Sequence, residues 1–123
     1  MKIYYDNEIL QEILKVYIEN NESKAIKQSS FGRNTGKSTT ISSLAKFYNL
    51  SVVSSGHNIM HYYEKGVMVW HSTDVKNIIN GSIGKDFLTN VLLVDGIKNK
   101  EYNILRNNGY TVIGIISDGN LEL

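Results

Sequence analysis

The 123-residue chain contains neither cysteine nor proline. Without thiols it has no disulfide framework, no cysteine-based zinc site and no thiol nucleophile. It also lacks an excess of charge of either sign. Thirteen Lys and Arg stand against twelve Asp and Glu, a formal net charge of +1, which argues against a broad nucleic-acid-binding surface and leaves room only for a local basic patch. No apolar run approaches the roughly 20 residues that span a bilayer. The opening residues Met1-Lys2-Ile3-Tyr4-Tyr5-Asp6 lack the apolar stretch of a signal peptide. These absences lead to the expectation of a cytoplasmic protein with no membrane partner. Usage rich in Lys, Asn, Ile and Tyr is that of an AT-rich genome such as a phage's.

No repeat, low-complexity tract or linker divides the sequence, so residues 1–123 read as one domain, long enough to bury a core without metal or disulfide staples. Residues 7 to about 20 are expected to form an amphipathic helix. Ile9, Leu10, Ile13, Leu14, Tyr17 and Ile18 fall on one stripe, and Glu8, Gln11, Glu12 and Lys15 on the other. A short strand follows over 24–29, then a helix from Lys37 to about Tyr48. A strand over 50–53, a short helix through Ile59, Met60 and Tyr63, and a strand over 67–70 come next. Thr73 or Asp74 would cap a short helix carrying Val75, Ile78 and Ile79 and ending at Gly81. Val91-Leu92-Leu93-Val94-Asp95 is an unbroken apolar run suited to a central parallel strand buried on both faces. A helix over 98–108 closed by Gly109, then a strand over 111–116, complete the order. Strands alternating with helices predict an α/β fold, a three-layer sandwich around a mostly parallel central sheet.

One segment carries a chemistry. Phe31-Gly32-Arg33-Asn34-Thr35-Gly36-Lys37-Ser38-Thr39 is a glycine-containing turn running through Gly-Lys-Ser into a helix. Such a turn surrounds phosphates with backbone N–H groups and the positive end of the helix. Gly32, Asn34, Thr35, Gly36, Lys37, Ser38 and Thr39 are therefore expected to hold a nucleotide. Lys37 would reach the β- and γ-phosphates and Ser38 would place its hydroxyl on Mg²⁺. Asp95, at the tip of the apolar strand, fits the second half of that site, a carboxylate for Mg²⁺ next to Ser38. In an open α/β sheet ligands bind at this carboxyl edge, so the two halves predict one another's location. Each half alone has a plainer reading: a flexible loop with a solvated lysine, and a strand-end turn residue before Gly96.

With these residues in place the chain resembles a P-loop NTPase, and within that superfamily the RecA-like ATPase cores of phage large terminases and helicases. The resemblance covers about residues 24–119. It implies that Arg33, four residues before Lys37, is a catalytic arginine acting in cis on the γ-phosphate, alongside Lys37 and Asp95; otherwise Arg33 is a surface loop residue. It also implies that Ser117-Asp118-Gly119 occupies the position of a motif that senses the γ-phosphate. Two departures stand out. Phe31 takes the place of the first loop glycine, and Gly96 stands where motor ATPases carry a glutamate that polarises the attacking water; Glu101 is the first carboxylate downstream. These 123 residues include no second motor domain and no nuclease domain.

Other constellations are thinner. His57, His61 and Glu64 could share a helical face as metal ligands, but read better as partly exposed side chains. His57-Asn58 follows a strand at the place where helicase-type proteins touch polynucleotide or substrate. Tyr62, Tyr63 and Trp70 could stack on bases, but read better as core and boundary packing. The leading functional expectation is a minimal Mg-ATP-binding NTPase, phage-type, with weak or assembly-dependent hydrolysis. Its partners would be a nucleotide, with nucleic acid, another protein or further copies of the chain as candidates. A nucleotide or deoxynucleotide monophosphate kinase is a second reading, although only Arg33 and Arg106 are available to clamp a second phosphorylated substrate. A non-catalytic ATP-dependent interaction module is a third.

Overall fold

A computed structural model describes residues 7–28, 36–56, 59–80 and 89–117 of the chain. Helix α1 (Asn7–Asn20) places Leu10, Leu14 and Ile18 four residues apart and buries all three, with Glu8, Gln11, Glu12 and Lys15 outward. Ile9, expected on the apolar stripe, is instead 42% exposed, because the buried arc is narrower than the hydrophobic one. The helix closes at Asn21 in the left-handed region (φ 54), and the Glu22 amide reaches back to the Tyr17 carbonyl at 3.0 Å. Asparagine tolerates that conformation better than most residues do. Helix α2 (Lys37–Tyr48) ends the same way at Asn49.

Five strands form one all-parallel sheet: β1 (Lys24–Lys27), β2 (Ser51–Ser54), β3 (Val69–His71), β4 (Val91–Ile97) and β5 (Thr111–Ile116). Their order across the sheet is β1-β5-β4-β2-β3. Helices α3 (Ile59–Glu64), α4 (Val75–Ile79) and α5 (Asn99–Asn107) complete the crossovers. The three-layer α/β sandwich expected from the alternation of elements is the observed architecture.

The apolar run of β4 is explained by burial on both faces, since successive side chains of a strand point to opposite sides. Leu93 packs with Val52, Ile113 and Ile115 against Leu10, Leu14, Ile41, Leu44 and Tyr62 of the first three helices. Leu92 and Val94 pack on the other face with Val53, Val112, Val75, Ile78, Tyr102 and Leu105, under α4 and α5. Asp95, two residues after Leu93, therefore emerges on the α1–α3 side.

Several boundaries differ from those read in the sequence. β4 continues past Asp95 to Ile97 through an irregularity in its pairing with β5 between Asp95 and Ile97, where Gly96 sits at φ +81. That extra residue returns Ile97 to the face of Leu92 and Val94, which recovers its burial. β2 and β3 each start and end later than expected, at Ser51–Ser54 and Val69–His71. Neither Thr73 nor Asp74 caps α4 in the expected way. A 3₁₀ turn over Ser72–Asp74 precedes it, capped by the His71 ring nitrogen, which accepts from the Thr73 amide at 3.0 Å. The expected stop at Gly81 lies outside the described residues. Among the described residues no helix is long and apolar enough to cross a membrane.

Candidate functional site

All five strands run the same way, so their carboxyl ends share one edge of the sheet. Lys27 ends β1 there, Ser54 ends β2, Asp95 lies near the end of β4, and Ser117 follows β5. Because β5 lies between β1 and β4, its tip stands between the strand that leads into the glycine turn and the strand that carries Asp95.

Gly36 immediately precedes α2 with φ 71 and ψ 29, in the left-handed region. A side chain there would be strained, and this accounts for glycine at the last loop position. From Gly36 the chain enters the helix at once, the Thr40 amide donating to the Gly36 carbonyl at 3.0 Å. Lys37, Ser38 and Thr39 thus form the opening turn, at the positive end of the helix dipole. Lys37 and Ser38 are half-buried, whereas the Thr39 side chain is exposed.

The Ser38 hydroxyl donates to Asp95 Oδ2 at 2.6 Å, a contact between residues 57 apart in the sequence. The same carboxylate oxygen accepts the Tyr62 phenol at 2.6 Å. Asp95 is only 3% exposed, a position where an unpartnered carboxylate would be costly. Two hydroxyl donors from two helices offset that cost. Burial first, and then the adjacent Asp95 carboxylate, push the Tyr62 phenol far above its usual range, so it remains a proton donor. The backbone beneath is also tied down. Ser54 Oγ donates to the Asp95 carbonyl at 3.1 Å, and the Ser55 amide donates to the same oxygen at 3.3 Å.

The residue after Asp95 has a backbone that disfavours any side chain. Gly96 is left-handed, and a Cβ added to it would stand 3.1 Å from Ser55 Oγ. Glu101, the next carboxylate, is engaged elsewhere: its Oε1 accepts the Lys98 amide at 2.8 Å, which caps α5. Arg106 lies in the last turn of α5, over the Tyr102 ring at 5.5 Å. α5 runs from the carboxyl edge of β4 back to the start of β5, so Arg106 belongs to the opposite end of the sheet from Asp95.

The structure therefore brings together Gly36, Lys37 and Ser38 with Asp95 at one sheet edge. Gly32, Arg33, Asn34 and Thr35 lie outside the described residues, as do Phe31, His57, Asn58, Asp118 and Gly119. Among the described residues no group of three metal-ligating side chains is found, so His61 and Glu64 form no such cluster there. The aromatic trio divides: Tyr62 is core, Trp70 is partly buried, and Tyr63, expected to pack, is 72% exposed.

The sequence missed two participants, Tyr62 and Ser54. α3 has six residues, too few for helical periodicity to fix its buried face, and of the apolar residues Ile59, Met60 and Tyr63 that marked it in the sequence, Met60 and Tyr63 prove to be exposed. A usable signal was the chemistry of Tyr62 itself, an apolar ring with a donor, on the helix that leaves β2 at the edge where Asp95 emerges. Compared with models of known protein families the chain matches none. No curated protein matches it either.

Proposed function

We propose that the chain binds a magnesium nucleoside triphosphate, ATP or another NTP, at the carboxyl edge of its sheet, as a minimal P-loop NTPase core of the RecA-like kind. The observation that carries this reading is the 2.6 Å contact between Ser38 and Asp95. It joins a Gly-Lys-Ser helix start to an acidic strand tip in three dimensions, as a shared Mg²⁺ site requires. The donor set suits the ion, because Mg²⁺ prefers hard oxygen ligands and takes only one or two from protein beside phosphate and water. In this reading Ser38 and Asp95 hold the metal. Lys37 and the amides from Gly32 to Thr39 neutralise phosphate charge, and Arg33 reaches the γ-phosphate. Bound Mg²⁺ would supply charge neutralisation across the β- and γ-phosphates. The position of β5 between the two half-sites is also favourable, since a γ-phosphate sensor at Ser117–Gly119 needs to stand there.

A specific observation bears on turnover at the same site. Gly96 has a left-handed backbone, and Glu101 is committed to capping α5. Neither provides a carboxylate beside Asp95 to orient water, so nucleotide binding with slow or assembly-dependent turnover is the expected behaviour. The kinase reading gains nothing comparable, because Arg106 lies at the far end of the sheet. Calorimetric titration with ATP, in Mg²⁺ and in EDTA, tests the proposal. Wild type should bind with Mg²⁺-enhanced affinity, and Lys37→Ala should lose binding while still unfolding cooperatively as a folded protein. Failure of every nucleotide tried to bind or to raise the melting temperature would remove the proposal.

A further inference from the structure

We infer that Tyr62 is a positioning residue for the metal site, holding the Asp95 carboxylate in the orientation that receives Mg²⁺. The inference rests on the nucleotide-binding reading and adds to it a residue outside both of its motifs.

Three features of the contact support this role. Its length, 2.6 Å, is that of a hydroxyl bound to a charged acceptor. It converges on Oδ2, the oxygen that also receives Ser38, so one carboxylate oxygen is fixed by two donors from α2 and α3. The Tyr62 ring is fully buried and packs in the core with Leu93 and Ile41, with the His61 ring edge-on at 5.2 Å. The ring is therefore locked, and the hydroxyl is delivered from a rigid base.

A lone pair of the Ser38 hydroxyl can face a metal while its O–H goes on donating to Asp95, so the Ser38 bond is compatible with metal binding. The Tyr62 bond is compatible too, since a phenol that donates to one carboxylate oxygen leaves the other lone pairs available. Partners of this kind, behind the ligating atoms, typically contribute ten- to hundredfold to metal affinity. A purely structural Tyr62 would predict something else: loss of its hydroxyl would lower stability and leave Mg²⁺ dependence unchanged.

Tyr62→Phe keeps the ring and removes only the donor. The experiment measures ADP affinity by calorimetry at several Mg²⁺ concentrations and in EDTA, for wild type and the variant. The expected result is a ten- to hundredfold weaker apparent Mg²⁺ affinity in the variant, with affinity in EDTA unchanged within about twofold. Equal Mg²⁺ dependence in the two proteins overturns the role of Tyr62 and leaves the nucleotide site intact. No Mg²⁺-dependent binding by wild type overturns the nucleotide reading, and this inference with it. A measurement that needs no change at position 62 covers the case of a poorly folding variant. In protein carrying 3-fluorotyrosine, the resonance assigned to Tyr62 by elimination, as the one that persists in single Tyr→Phe variants of each of the other tyrosines, should shift when Mg²⁺ is added to the ADP-bound form. A resonance that does not respond overturns the inference.

Discussion

Ser38 and Asp95 come from the first turn of α2 and the end of β4, and their side chains meet at 2.6 Å. Neither residue could hold this geometry without the other elements: Gly36 starts the helix on time, and Ser54 at the end of β2, with the Ser55 amide after it, fixes the backbone of Asp95. Ser38→Ala removes one donor from a carboxylate that is almost wholly buried. A hydrogen bond to a charged group contributes about 1.5–3 kcal/mol, and the half-exposure of Ser38 places the expected loss at the lower end of that range. Urea unfolding of the unliganded variant should show the loss as a lower midpoint with an unchanged slope. Its Mg²⁺-dependent nucleotide binding should be lost as well, whereas Thr39→Ala, an exposed neighbour, should leave stability within about 0.5 kcal/mol.

Gly96 is the position at which the resemblance to motor ATPases breaks. Installing the expected glutamate by Gly96→Glu should not create a hydrolase. The backbone there is left-handed, and the new Cβ would press on Ser55 Oγ. Holding a non-glycine residue in such a conformation costs about 1–3 kcal/mol. The expected outcome is a lower melting temperature with no gain in phosphate release from ATP. A stable variant with faster release would show that the strand end can relax to accept the side chain.

Much of this was legible in the sequence because it depends on local periodicity and on glycine and asparagine as stops. The buried stripe of α1, the opening of α2 at Lys37 and the two-sided burial of β4 are of that kind. The pairing of Ser38 with Asp95 was legible for a different reason, namely that parallel strands deliver their tips to one edge. What could not be read depends on tertiary choices that short elements leave open. α3 buries Tyr62 and exposes Met60 and Tyr63 because of how it lies on the sheet, and a six-residue helix has no pattern that selects between these faces. The bulge at Gly96 was equally hidden, since it exists to return Ile97 to the core.

A pH prediction follows from the contact between α1 and α2. The Tyr48 phenol donates to Glu19 Oε2 at 2.7 Å, and this bond, more than burial or the carboxylate charge, pushes the phenol from 10.0 up to about 12. A group whose affinity for its proton rises on folding stabilises the fold fully below its unfolded value. That contribution is then lost as pH climbs from 10 toward 12. Tyr48→Phe should therefore flatten part of the fall in melting temperature over this interval. It should also remove one late-ionising phenol from the absorbance titration near 295 nm. Glu19→Gln should bring that phenol back toward its ordinary value. An unchanged alkaline profile in both variants would show that the bond does not persist in solution.

Glu101 offers the sharpest separation of a structural carboxylate from a catalytic one. By position in the sequence it is the nearest candidate to activate water after Asp95, yet its carboxylate accepts the Lys98 amide at 2.8 Å and closes the first turn of α5. Loss of such a capping contact costs about 0.3–1.5 kcal/mol. Glu101→Ala should accordingly lower the unfolding midpoint, while Glu101→Gln, which keeps an acceptor, should recover most of it. Neither should change the rate at which labelled ATP is consumed, and both should bind Mg-ATP as wild type does. If Glu101→Gln instead abolished a measurable wild-type turnover while preserving stability, the carboxylate would have to leave its cap during the reaction, and the chain would be a hydrolase with its base on α5.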